Sequence, residues 1–207
     1  MKHTVCIPLI LALLLLIGSR AAVAADGSAF TSLDSFRLGK TTLPAVRRQL
    51  GQVKVVHTGD AGDTLYTICY RVGTVAVLFM SGELDGPEQY LGGVRVATTT
   101  NRTPCREWPS SRPTPNLTIG GIRIGSTLDE VRAALGQPVD EEEGKLSRAF
   151  VTVQRMSASV IKRLPAEAQK QIPSGELKPE FDVMVAVTVR FENGRAIEVE
   201  VWKSETW

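Results

Sequence analysis

Few residues in this chain are of a type and spacing that could do chemistry. His57-Thr-Gly-Asp-Ala-Gly-Asp63 sets one imidazole near two carboxylates, the raw material of a metal or acid–base site. A catalytic zinc usually takes three protein ligands in fixed geometry. Gly-Asp runs after a β-rich stretch more often make a polar turn, and the turn is the stronger reading. Glu198 and Glu200 would share one strand face about 7 Å apart, between the two carboxylate separations that glycosidases use. Acids alternating on an open sheet face are ordinarily just solvated, and no sugar-stacking aromatic cluster accompanies them in sequence. Asp140 to Glu143 could attract calcium but lacks the alternating ligand spacing of a calcium loop. Gly-x-Ser-x-Gly, phosphate-loop and dinucleotide fingerprints do not occur. The sequence therefore predicts no catalytic set, no metal site and no cofactor.

Cysteines and tryptophans are more informative. The chain has three cysteines. Cys6 lies in the leader described below, which leaves Cys69 and Cys105. In an oxidising, exported setting an even pair reads as one disulfide. Two free thiols or a metal pair are the alternatives, and a metal pair would need more His or Cys than remain. Trp108, Trp202 and Trp207 are candidate anchors for a partner, because tryptophan is enriched at interface hot spots. The competing reading is that they cover core edges, which suits Trp108 better than Trp202.

Residues 1–25 read as an export signal. Lys2 supplies the positive start, Ile7 to Ile17 form an apolar run too short to span a bilayer comfortably, and Ala21-Ala-Val-Ala-Ala25 offers small residues to a peptidase. Cleavage after Ala24 or Ala25 fits, and no cysteine stands there to accept a lipid. Removing Lys2 and Arg20 from the 24 basic residues leaves 22, against 22 acidic ones. This balance offers no electrostatic case for nucleic acid or an anionic membrane surface. No further stretch is apolar enough to span a membrane. The expected location is periplasmic or secreted.

The elements that must position these residues are organised around a stretch that occurs twice. Phe36-Arg-Leu-Gly39 and Ile122-Arg-Ile-Gly125 each precede a threonine-capped helix and a Leu-Gly-Gln end, with Thr42 to Gln52 aligning with Thr127 to Gln137. Thr42 and Thr127 are N-caps, Glu130 completes a capping box with Thr127, and Gly51 and Gly136 are terminating glycines. Leu43, Val46 and Leu50 form one apolar stripe, and Leu128, Val131 and Leu135 form another. β-rich runs follow the first helix at Val53 to His57, Leu65 to Tyr70, Val75 to Met80 and Val94 to Thr99. Four prolines in 103–116 make that segment a semi-rigid linker. Past the second helix, Asp140 to Glu143 reads as an acidic loop, Leu146 to Val153 as a strand and Val160 to Ile172 as helix. The predicted fold is α+β, with two tandem repeats (26–102 and 117–207), each a short helical element packed on an antiparallel sheet.

The last hairpin can be read residue by residue. A two-residue Asn193-Gly194 turn would set Val189 against Glu198 and put acids on the apolar face, so that turn is rejected. A three-residue loop, Glu192 to Gly194, avoids this by pairing Val189 with Ile197, Val187 with Val199 and Val185 with Val201. It leaves Met184, Thr188, Glu198, Glu200 and Trp202 on a mixed polar face suited to water or a partner.

The Gly-x-Thr-x-x-Glu-Val-x-x-x-Leu-Gly-x-Pro pattern at Gly125 to Pro138 resembles the helix-turn signature of two groups. One is the small lipoprotein family of the outer-membrane β-barrel assembly machinery. The other is the β-lactamase inhibitory protein family, built from two such repeats in tandem. The resemblance implies a helix packed on an antiparallel sheet and a non-enzymatic, protein-binding role. The first copy departs from it, with Pro44 and Ala45 in place of Asp129 and Glu130, and the lipid-bearing cysteine of the assembly lipoproteins is absent.

These readings converge on an exported, non-enzymatic module that binds another exported or envelope protein through an open sheet face or inter-repeat groove. The candidate contact residues are Met184, Thr188, Glu198, Glu200, Trp202 and Trp207. A periplasmic small-ligand carrier is the alternative. A hydrolase using His57 or Glu198 and Glu200 ranks last.

Overall fold

The computed structural model describes residues 27–60, 62–86, 88–99, 104–162, 164–175 and 177–206. The leader and Trp207 lie outside these residues. The fold is α+β and its sheet is almost wholly antiparallel.

A single 3-10 turn, Ser28–Phe30, leads into two short paired strands, β1 (Ser32–Leu33) and β2 (Phe36–Arg37), and then helix α1 (Leu43–Leu50). Strands β3 (Val56–Thr58), β4 (Leu65–Val72), β5 (Val75–Gly82) and β6 (Gly93–Thr98) follow, and the proline-rich segment contributes β7 (Arg106–Glu107). Helix α2 (Leu128–Leu135) precedes β8 (Asp140–Glu142) and β9 (Lys145–Arg155). Two helices, α3 (Ala158–Ile161) and α4 (Ala166–Ser174), come before β10 (Glu180–Glu192) and β11 (Arg195–Thr206).

Both main helices begin where local chemistry dictates. The Thr42 hydroxyl accepts from the Ala45 N–H, and Pro44 sits in the first turn, where no intrahelical donor is lost. Thr127 and Glu130 form the full capping box, each side chain accepting from the other residue's N–H at 2.8 and 3.3 Å. Gly51 and Gly136 end the helices at φ +92° and +66°, values that favour glycine.

The main sheet runs β3-β4-β5-β6-β11-β10-β9-β8, with β7 beside β4 in parallel. Strands β6 and β11 are hydrogen-bonded along Gly93 to Ala97, so the two halves meet through a ladder rather than across a groove. Register carries one buried row across six strands: Tyr70, Val77, Val96, Val199, Val189 and Leu146. The buried stripes of α1 and α2 lie on this face, and the result is one contiguous apolar core. Phe30 belongs to it as well, stacking on Phe150 of β9 with ring centroids 5.3 Å apart. The chain's lead-in is thereby tied to a strand far along the sequence.

Three expectations need correction. Asp140 to Glu142 is not a loop but a short edge strand, hairpinned onto β9. The helical segment at 160–172 is two helices, because Pro165 supplies an extended N-cap to α4 and cannot continue α3.

The last hairpin is the third. Glu192 pairs with Arg195, so the turn is the two-residue Asn193-Gly194, with φ +50° and +71°. Phe191 then pairs with Ala196 but Arg190 with Glu198, leaving Ile197 as a bulge. The extra residue restores the parity that an unbroken ladder would have lost. Val189 therefore pairs with Val199 and Val187 with Val201, two residues away from the expected register, while the inward face keeps its valines.

Candidate functional site

The face of the sheet opposite the helices is where the predicted contact residues fall. One row there reads Thr67, Met80, Gly93, Trp202, Ala186 and Ala149, and the next reads Cys69, Leu78, Arg95, Glu200, Thr188 and Ser147. Met184 lies one step beyond Ala186, between Ser204 and Val151. Met184, Thr188, Glu198, Glu200 and Trp202 are thus on one face as expected, though their cross-strand partners differ. Thr188 faces Glu200, Ala186 faces Trp202, and Met184 faces Ser204.

Trp202 is held rather than loose. Its neighbours across the ladders are Gly93 and Ala186, which leave room for the indole to lie against the sheet. A Cβ at Gly93 would come within 2.8 Å of the ring, so only glycine permits this contact. The indole Nε1–H donates to Glu200 at 2.5 Å, and Arg95 Nε pairs with the other oxygen of the same carboxylate. Glu200 therefore braces the tryptophan and is itself only 18% exposed. Glu198 is similarly recessed and pairs with Arg190 at 3.9 Å. The expectation of two merely solvated acids gives way to cross-strand ion pairs, which register brings together and which no local pattern in the sequence signals. Missed in the sequence were Arg95 and Gly93, whose roles depend on β6 lying beside β11.

Around this anchor the face changes character. On the first half Cys69, Ala76 and Met80 are buried although they point away from the helices. On the second half Met184, Val151 and Val153 are 41%, 62% and 64% exposed, an apolar patch at the β10–β9 side. Beside Trp202 a concavity of about 430 Å³ opens between Asp63 to Leu65, Gly82 to Asp85 and the end of β11. Burial raises the Asp85 carboxyl above the usual aspartate range, partly offset by the hydrogen bond it accepts from the Gly82 N–H.

Other candidates are placed elsewhere. His57 is exposed and stacks on Tyr66 with centroids 5.2 Å apart, while Asp60 and Asp63 shape a turn through the Asp63 N–H to Asp60 carbonyl bond. Glu141 and Glu142 pair with Arg132 and Lys145. Among the described residues no group of three His, Cys, Asp or Glu side chains could hold a metal ion. Trp108 packs edge-on to Phe36 and Tyr70 at the core margin, the covering role weighed for it above.

Cys69 and Cys105 form a disulfide with Cα atoms 4.7 Å apart. The bridge fastens the proline-rich segment to β4, and the segment is further held by the Trp108 N–H to Arg71 carbonyl bond, by Arg106 on the Gln52 carbonyl and by Arg71 with Glu107. Nearby, the Tyr70 hydroxyl donates to the Gly51 carbonyl at 2.6 Å. Burial raises the Tyr70 phenol above its ordinary value, against the opposing charges of Arg47 and Arg106. No helix among the described residues is long and apolar enough to cross a membrane.

No known family model matches this chain, and no curated protein matches it. Among solved structures it aligns with a Streptococcus mutans protein described as a candidate β-lactamase inhibitor protein. The identity is 11%, the alignment covers 86% of this chain and 93% of the other, and the TM-score is 0.27, too low to establish a shared fold.

Proposed function

We propose that this chain is an exported, non-enzymatic module that binds another exported or envelope protein through the sheet face around Trp202. The observation that carries the reading is the braced indole. A large, half-buried aromatic side chain lies beside an apolar patch, with its polar atom already satisfied by Glu200 and its conformation set by Gly93. An anchor fixed before contact loses little entropy on binding, which is what distinguishes a hot spot from an incidental surface aromatic. Met184, Thr188, Glu198 and Glu200 form its surround.

The export assignment is supported by the disulfide, since such bonds persist in oxidising compartments. Division into two copies at 26–102 and 117–207 is supported by matching backbone bonds. In the first, Gly39 donates to the Leu91 carbonyl and Leu91 to the Thr41 carbonyl; in the second, Gly125 donates to Ala196 and Ala196 to Ser126. The palindromic strand order about the β6–β11 junction supports the same division.

The test is site-specific. A photo-crosslinker at position 184 should give one discrete adduct in an envelope extract, and Trp202→Ala should reduce it by about 30-fold or more, the loss expected on removing a hot-spot tryptophan. A crosslinker at position 56, on the opposite flank, should not give that adduct. An adduct that Trp202→Ala leaves unchanged, or no adduct at position 184, would overturn the assignment.

A further inference from the structure

We propose that the outer edge of β9 is a self-association surface, on which a second copy of this chain adds its own β9 antiparallel and joins two sheets into one. Strand β8 covers β9 only at Lys145, Leu146 and Ser147. From Arg148 to Arg155, β9 has β10 on one side, and no described backbone group bonds to its other side. The Gly144 carbonyl accepts from the Phe191 N–H of β10. Backbone groups alternate along an antiparallel strand, so even-numbered residues of β9 face β10 and the odd-numbered Ala149, Val151 and Val153 direct theirs outward.

Between Arg148 and Arg155 this edge carries none of the usual protections. Proteins blunt free edges with proline, lysine, bulges or a covering element. Ala149-Phe-Val-Thr-Val153 has neither proline nor lysine, and its register with β10 is unbroken. The side chains of Val151 and Val153 are more than 60% exposed, as expected where no strand lies alongside.

A second copy fits this edge in charge, length and composition. With a two-fold axis at Val151, that residue meets its own equivalent, Ala149 meets Val153, and Arg148 meets Gln154. With the axis at Thr152, Val151 meets Val153 and Ala149 meets Arg155. Neither register opposes two like charges, and each forms about six to eight backbone hydrogen bonds. The contact ends where β8 begins on each copy, so β8 limits its length. At that junction the exposed Arg155 end of one β9 approaches the exposed Asp140 at the start of the other copy's β8. An isologous contact of this kind closes as a dimer and does not propagate.

Sedimentation velocity of the purified protein, disulfide intact, from low micromolar to several hundred micromolar tests this. The expected result is a reversible monomer–dimer equilibrium, weakened at least about tenfold by Val151→Asp, which sets like charges across the axis. Val56→Asp, on the opposite flank, should leave it unchanged. Hydrogen exchange supplies a readout that needs no variant: the amides of Ala149, Val151 and Val153 should slow as concentration rises. This readout decides alone if Val151→Asp fails to fold. A monomer throughout the range, a dimer that folded Val151→Asp leaves intact, or a dimer whose edge amides stay unprotected would each overturn the proposal.

Discussion

At one flank of the sheet, β4 is covered along most of its length. Strand β3 pairs with Leu65 to Thr67, β7 pairs with Tyr70 and Arg71, and the Cys69–Cys105 bridge lies between them. At the other flank, β9 is covered by β8 at its first turn and then runs bare. Both strands occupy the same place in a palindromic order, so the difference does not come from topology. The segment after β6 folds back as a strap on β4, whereas no described segment pairs with β9 past Ser147 on the side away from β10. The β4 flank thus ends in two short strands, β3 and β7, whereas β9 offers a long uncovered run for another strand.

Four measurements would break or sharpen this contrast. The largest effect is expected from removing the bridge. Replacing both Cys69 and Cys105 with serine frees a loop of sequence separation 36, worth about 4 kcal/mol in the loop-entropy model and less in most measurements. Denaturant unfolding gives the loss, and hydrogen exchange should show the Trp108 amide opening while β9 is unaffected. A loss below about 1 kcal/mol would mean that the strap seals β4 without its covalent tie.

Phe30→Ala addresses the other flank from beneath. Phe30 is buried and stacks on Phe150 of β9, so its truncation should cost about 3–4 kcal/mol and speed exchange in β9 more than in β4. Equal loosening of the two strands would show that the core, not the lead-in, holds that flank.

A smaller change should follow Tyr70→Phe, which strips the Gly51 carbonyl of its donor. About 1 kcal/mol is expected from thermal unfolding, confined to the sealed side.

Smallest is the pH response of Asp85, whose loop links β5 to the middle of the sheet. Its carboxyl is raised by burial in the fold, so the folded state binds this proton more tightly than the unfolded chain does. Its favourable contribution is full below the ordinary aspartate range and is lost as pH rises through the raised value. Asp85→Asn should flatten the stability profile over that window, and a profile that keeps its slope would place the titration elsewhere.

How much of this was legible beforehand follows from the range of each interaction. The helices at Leu43–Leu50 and Leu128–Leu135 were, because Thr42, Thr127 and Glu130 act within one turn of their own position. The five surface residues on one sheet face were legible from alternation alone. Their pairings were not: alternation says which side a residue takes but not how two strands are offset, and Ile197 shows how one bulged residue shifts an entire ladder. The support of Trp202 was hidden for the same reason, since Arg95 and Gly93 lie about a hundred positions away and carry no motif.

By itself, then, the sequence determined what short-range chemistry controls: the starts and stops of α1 and α2, strand alternation, the apolar stripes and the choice of Cys69 and Cys105 as the pair. Only the tertiary structure decided that β6 would meet β11, that the proline-rich segment would seal β4, and that β9 would keep a free edge. These features depend on which distant strands share hydrogen bonds. Such pairings are selected by burial of the whole sheet against α1 and α2 rather than by any local preference.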